Sequence, residues 1–226
     1  VKRFHLILSI VVALAVTIST DALADPPPKE WDGLVRVQSQ RMNYLYLRRG
    51  ADFRSYTKVI LEPTEVAFRK DWMKEHNRSQ RSVSRRISNS DVQRAITEGI
   101  KASSDIFSKA WQAGGYTLAT APGSDVLRVK TGILNIDVSA PDQMGAGRAH
   151  TFANEAGRAT LVVEVRDSLT GTLLGRAVDQ QIAGDFTAGA RNSVTNRSDF
   201  RALAEQWATD SVKGMAELKA RSPIAP

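Results

Sequence analysis

Histidine, serine and carboxylate are the side chains left to do catalytic work here, because the chain has no cysteine. That absence excludes thiolate catalysis, disulfides and cysteine-based zinc or iron–sulfur sites. Beyond the first 24 residues only His76 and His150 remain. One sits in a basic segment and the other in a small-residue stretch, with no acidic residue at the spacing of a helical metal site. Both read as surface histidines. Serines are plentiful, but no G-x-S-x-G elbow lifts one out as a nucleophile. Paired carboxylates are the remaining enzymatic idea. Glu62 and Glu65 flank Pro63, and Asp137 and Asp142 bracket the end of a long apolar run. Glycosidases hold two carboxyl groups roughly 5 to 10 Å apart across a cleft. A cell-wall glycan hydrolase using Glu62, Glu65 or Asp137 is therefore one reading. Charges that keep strand edges from pairing explain the same residues.

The other chemistry is electrostatic. Between Arg36 and Arg94, fourteen Lys or Arg face six Asp or Glu, so the net charge of +7 originates in this region. Its densest part runs from Arg69 to Arg86, where Lys74, Arg78, Arg81, Arg85 and Arg86 are the candidate binding residues. Guanidinium groups suit bidentate contacts to phosphate or carboxylate. If the segment is helical, Arg78, Arg81 and Arg85 share one face. Ser79, Ser82, Ser84 and Ser88 lower helix propensity and argue equally for a loop. The bland reading is a solvated basic face with no partner.

Elements that would position these residues can be read in order. Lys2 and Arg3 precede an apolar run from Leu6 to Val16, and Ala22-Leu23-Ala24 offers small residues for cleavage before Asp25. Residues 1–24 read as a cleavable signal peptide, with an uncleaved anchor as the alternative. Export to the periplasm follows as an expectation, and lipid attachment has no cysteine to use. Residues 25–34 form a proline-rich leader, expected to be extended and flexible. The remaining residues, 35–222, suffice for one domain, and a hydrophobic fraction of 42% with 24% charged is ordinary for a globular core.

Met42 to Leu47 and Lys58 to Leu61 have strand composition. Pro63 cannot donate to a ladder and marks a bulge or edge. Phe68 and Trp72 read as core or rim anchors. Helices are expected from a Ser90–Gln93 capping box to Gly114-Gly115, with Val92, Ile96, Ile100, Phe107 and Trp111 on one stripe. A second runs from near Ser198 to about Lys219, with Phe200, Leu203, Trp207, Met215 and Leu218 inward. Between them Tyr116 to Ala119 is a short strand, and in Val126 to Val138 the apolar phase slips by one residue. That slip requires a bulge, expected at Gly132. Thr160 to Arg166 and Leu173 to Ile182 form a hairpin around Asp167–Gly171. Met144 to Arg158 carries G-x-G, but a nucleotide loop joins strand to helix; this one joins two strands and reads as a contact loop.

The fold class expected is α+β: a mostly antiparallel sheet with two amphipathic helices packed on one face. Alternating βαβ units are not apparent, and neither are internal repeats.

Three stretches carry a resemblance: WDGL from Trp31, YLRRGADFRSYTKVILEPTEVAFRKDW from Tyr46 to Trp72, and LVVEVRDSLTGTLLGRAVD from Leu161. They resemble domain of unknown function 3313, a family of secreted bacterial proteins labelled as lipoproteins. The hairpin and closing helix are also similar to envelope domains of the curli-secretion and TolB N-terminal kind, a likeness at fold level that transfers no function. The resemblance implies an envelope location and an α+β fold. It implies no activity, and the missing cysteine departs from the lipoprotein label.

The expected function is a non-enzymatic periplasmic accessory or binding domain, with the arginine segment contacting an anionic envelope component or an envelope protein. No cofactor is expected, and export removes nucleic acid from the expected clients. A homo-oligomeric domain built on an exposed sheet edge is the third reading.

Overall fold

The computed structural model describes residues 27–80, 83, 86–138, 151–153, 157–184, 189–191 and 193–225. The expected signal peptide therefore lies outside the described residues, as do Arg81, Arg85, Asp142 and His150. Strands are β1 (Glu30–Trp31), β2 (Leu34–Val37), β3 (Tyr44–Leu47), β4 (Lys58–Leu61), β5 (Glu65–Phe68), β6 (Thr117–Leu118), β7 (Val126–Val138), β8 (Thr151–Ala153), β9 (Gly157–Asp167), β10 (Leu173–Ala183) and β11 (Gly189–Arg191). Helices are α1 (Trp72–Ser79), α2 (Asn89–Ala113) and α3 (Ser193–Arg221). The fold is α+β. Nine strands form one mixed sheet in the order β1-β2-β3-β10-β9-β7-β4-β6, with β5 also on β7, and β8 pairs separately with β11.

From β1 to β7 every pairing is antiparallel, as expected. Beyond β7 it is not. Both β4 and β5 run parallel to β7, and β6 runs parallel to β4. Parallel neighbours need a crossover, and α1 and α2 lie within this one. The sequence hides this βαβ-like connection, because two strands of four residues separated by a proline do not look like one strand. They act as one. β4 pairs with Val126–Val129 and β5 with Gly132–Ile136 of the same strand. At the break, the amide of Thr64 leaves the ladder and donates to Ser104 Oγ of α2 at 3.0 Å.

β7 does contain a bulge, but at Asn135 and not at Gly132. The four residues from Leu134 to Asp137 lie opposite three on β9, Thr160 to Arg158, and β5 sees the same shift. Asn135 has φ 53°, a left-handed conformation that asparagine tolerates better than most residues. Leu127, Val129, Thr131 and Ile133 are buried on the helix side. After the extra residue Ile136 packs against the same core.

The α2 cap also differs from expectation. Ser88 is the N-cap, and its reciprocal partner is Asp91, which accepts from the Ser88 amide at 3.0 Å. An acid at this third position does what Gln93 was expected to do for Ser90. α1 is a third helix, formed at the start of the arginine-rich segment. The hairpin turn between β9 and β10 is as expected: Asp167 Oδ1 accepts from the amides of Leu169 and Thr170 at 3.1 and 2.7 Å, and Gly171 has φ 71°.

Trp111 of α2 and Trp207 of α3 are nearly inaccessible, and both sit in the core with Leu127, Leu161 and Val129. The helices approach closely where Gly114 ends α2, since a Cβ there would collide with Val212. On the sheet's other face Arg176 bridges Glu164 and Asp32 at 2.6 and 2.8 Å and lies 4.0 Å over the Trp31 ring. Tyr46 Oη donates to the Pro28 carbonyl and Arg36 to that of Pro27. The 25–34 segment thus meets the sheet from Pro27 onward.

Asp179 ties the layers together. Only 2% exposed, it accepts from the Trp207 indole at 2.8 Å, the Asn43 amide at 2.9 Å and Gln181 at 3.1 Å. Removing such an acceptor strands the buried Trp207 N–H, at about 1–3 kcal/mol, and loses two part-buried hydrogen bonds besides. Asp179→Ala should therefore destabilise the protein by roughly 2–4 kcal/mol, read as a lower urea midpoint with unchanged slope. Asp179→Asn should lose less.

Candidate functional site

The arginine segment is fastened before it begins. Phe68 stacks on Trp72 with centroids 4.7 Å apart, and the Trp72 indole donates to the Val138 carbonyl at 3.3 Å. Arg69 joins the same two elements, reaching Asp137 of β7 at 2.9 Å and Glu75 of α1 at 2.8 Å. Its hydrogen bond holds the Glu75 carboxyl below the usual carboxylate range. His76 stacks on Trp72 at 6.0 Å and is half-buried. Burial pushes its pKa down, which corrects the expectation of an ordinary surface histidine.

α1 ends at Ser79, and of the three arginines expected on one helical face only Arg78 falls among the described residues. The end of α1 is tied to the residues that lead into α2. The Asn77 carboxamide accepts from the Ile87 amide at 2.9 Å and donates to the Ile87 carbonyl at 2.8 Å. A side chain thereby imitates one rung of a β-ladder and joins Asn77 to Ile87 across the basic stretch. Lys74 and Arg78 lie one turn apart and exposed on α1, and Arg86 is exposed at the far end. None of the three makes an ion pair among the described residues. Arg81 and Arg85 fall between them in sequence and lie outside the described residues. Val83, midway between the two ends, is 75% exposed.

Several basic residues counted in the sequence are neutralised. Arg41 pairs with Asp210 and Glu217, Arg54 with Asp52, Arg94 with Asp91 and Arg49 with Glu30. The unneutralised charge is thus narrower than the composition implied: among the described residues of Arg36 to Arg94, Arg36, Arg48, Lys70, Lys74, Arg78 and Arg86 make no ion pair.

The carboxylates raised as catalytic candidates go to three separate cations. Glu62 reaches Arg128 at 3.4 Å, Glu65 reaches Lys130 at 3.6 Å, and Asp137 is held by Arg69. Asp137 is also no edge charge, because β7 is paired on both sides. Among the described residues no cluster of His, Asp or Glu could hold a metal ion. The main sheet ends on β1 and β6, strands of two residues each, which is a common way to blunt an edge. No helix among the described residues is long and apolar enough to cross a membrane.

A second feature escaped the sequence reading entirely. Between α3 and the loop joining β2 to β3 lies a cavity of about 860 Å³. Leu45, Leu47, Val165 and Ala177 floor it, Trp111 and Met215 wall it, and Arg41, Asp210, Glu217 and Arg221 stand among its polar lining. Its residues are drawn from Arg36 through to Arg221, so no local pattern announces them. The Asn77–Ile87 clamp was equally silent, since asparagine before a polar run signals any turn.

A family model described as protein of unknown function (DUF3313) matches residues 27–211. No curated protein sequence matches the chain. Solved structures to which it is similar include a PelC dodecamer from Paraburkholderia phytofirmans, at 9% identity and TM-score 0.36, covering 74% of this chain and 95% of that one. A DUF330 protein from Xanthomonas campestris is 6% identical at TM-score 0.41, covering 78% and 96%. A DUF4136 protein from Bacteroides thetaiotaomicron is 11% identical at TM-score 0.36, covering 83% and 98%.

Asn77→Ala should open the loop without unfolding the domain. Limited trypsin digestion should cleave within 78–86 several-fold faster, while the thermal midpoint moves by only a few degrees. Asn77→Asp, which keeps the acceptor and loses the donor, should fall between.

Proposed function

The chain belongs to the DUF3313 family of proteins of unknown function, and for it we propose a non-catalytic binding role in the bacterial envelope. The loop 78–86, together with Lys74, docks on an anionic component of the periplasm or of a membrane surface facing it. The observation that carries this reading is the closed base of the loop. Asn77 and the Phe68–Trp72 anchor fix the chain on either side of the arginine-rich run, so Lys74, Arg78 and Arg86 stand on a fixed base. Pre-positioned guanidinium groups lose less freedom when they meet phosphate or carboxylate. Lys74, Arg78 and Arg86 are available for such a contact, and Val83 adds an exposed apolar group of the sort that enters a headgroup layer.

The glycan-hydrolase reading has less to stand on, because Glu62, Glu65 and Asp137 each hold a different cation. Among the described residues, the edge-built oligomer has the two-residue strands β1 and β6 and the outer side of four-residue β5 to work with. Export itself rests on the N-terminal pattern of a basic start, an apolar run and a small-residue cleavage site.

Changing Arg78, Arg81, Arg85 and Arg86 together to Ser should leave the fold intact by circular dichroism. It should lower affinity for phosphatidylglycerol vesicles at least tenfold in co-sedimentation, with phosphatidylcholine vesicles as the uncharged control. Wild-type binding should weaken steadily with added salt, as expected of contacts between exposed charges. Binding that survives both the substitutions and the salt would sink the proposal.

A further inference from the structure

Lys74 and Arg78 are carried by a short helix. α1 has 8 residues, and isolated helices below about 12–15 residues are marginal in water. Tertiary contacts therefore keep it folded. The Trp72 ring stacks on Phe68 of β5 and on His76, with centroids 4.7 and 6.0 Å away. Arg69 bridges Glu75 of α1 to Asp137 of β7. In the last turn the Ser79 hydroxyl donates to the His76 carbonyl at 2.7 Å, and the next residue, Asn77, closes on Ile87.

His76 is the weak member of this set. Its Nε2 is sealed from water and has no hydrogen-bond partner among the described residues. Neutral imidazole carries one N–H, which Nδ1 can hold; imidazolium carries two. Protonation in place would put a charged donor at Nε2 with nothing to receive it. The Trp72 face and the C-terminal end of the helix both favour a cation, but each is weaker than the cost of sealing a charged donor without an acceptor. Burial pushes the His76 pKa below its ordinary 6.5. No charge adds to that shift, whether on α1 (Lys74, Glu75, Arg78), before it (Glu65, Arg69, Lys70, Asp71), on β7 (Asp137) or at the start of α2 (Arg86, Asp91).

An opening of α1 that frees the ring restores its ordinary proton affinity, so the open form binds the proton more tightly than the closed one. The contribution of His76 to the closed form is whole above pH 6.5 and is lost as pH falls through the lower, folded value. Glu75, held low by Arg69, acts in the same direction but only below its ordinary 4.5. Both titrating groups of the helix thus favour release in acid.

We propose that α1 is an acid-released clasp: protonation of His76 frees its ring from Trp72 and loosens the Asn77–Ile87 clamp, so that Lys74, Arg78 and Arg86 lose their fixed base. The consequence for binding rests on the docking role proposed above for those residues; the release itself does not.

The test is native-state amide exchange of the full chain, corrected for intrinsic rates, from about pH 7.5 to about pH 5. Two amides report the clasp: Glu75, which donates to the Asp71 carbonyl at 2.9 Å, and Ile87, which donates to Asn77. Their opening constants should rise several-fold over this range, while that of Val163 on β9 stays unchanged. His76→Phe, which keeps the stack and cannot titrate, should abolish the rise. The His76 ring signals of the wild type should titrate below 6.5. Flat opening constants in the wild type overturn the proposal, as does an equal rise at Val163 or a rise that persists in His76→Phe. A ring titration at or above 6.5 overturns it whether or not His76→Phe folds. Exchange is read without vesicles, so its result and that of the co-sedimentation are independent.

Discussion

Asp179 accepts three hydrogen bonds in a place where water does not reach, and the position of α3 follows from it. The Trp207 indole fixes the helix to β10, while the Asn43 amide fixes the loop between β2 and β3 to the same carboxylate. Asn43 answers in kind, accepting from the Gln180 amide at 2.7 Å. A buried carboxylate without enough donors would be costly, and with them it becomes a rigid junction. Because helix and loop are both referred to one strand, the space between them is set as well. The cavity is a consequence of that junction, and the Arg41 strap to Asp210 and Glu217 closes its outer side.

The opposite end of the molecule is organised by β7. A thirteen-residue strand with antiparallel β9 on one side and the interrupted pair β4 and β5 on the other must follow the twist of both. The Asn135 bulge re-phases its last residues so that Ile136 still faces the core. Past the bulge, Asp137 and the Val138 carbonyl receive Arg69 and Trp72. That attachment places α1, and α1 places Asn77. The basic loop therefore depends on a backbone irregularity that brings the strand end to meet it. The Asn77 clamp and the cavity beside α3 therefore sit on separate supports.

Much of this was legible from periodicity. The β9–β10 hairpin, the apolar stripes of α2 and α3, and the anchoring roles of Phe68 and Trp72 all rest on neighbours close in sequence, where side-chain spacing is informative. The slip in β7 was visible too, but its location was not. Gly132 looked permissive, yet a Cβ there would only brush Leu134, while Asn135 adopts the left-handed backbone. Of the candidate site, the arginines could be counted; that Arg41, Arg54 and Arg69 are already paired could not. Their partners lie from two to 176 residues away, and only a few of those distances follow from local structure.

By itself the sequence determined the charge imbalance, the absence of thiol chemistry, the helical faces and the antiparallel hairpin, since each depends on composition or on a repeat along the chain. Tertiary structure alone decided that β4 and β5 make one parallel strand, that Asn77 joins the chain at Ile87, and that a cavity opens beside α3. Those three rest on pairings and spacings between distant segments. Local propensity does not encode such distances; they arise when the layers pack and buried polar groups find their partners.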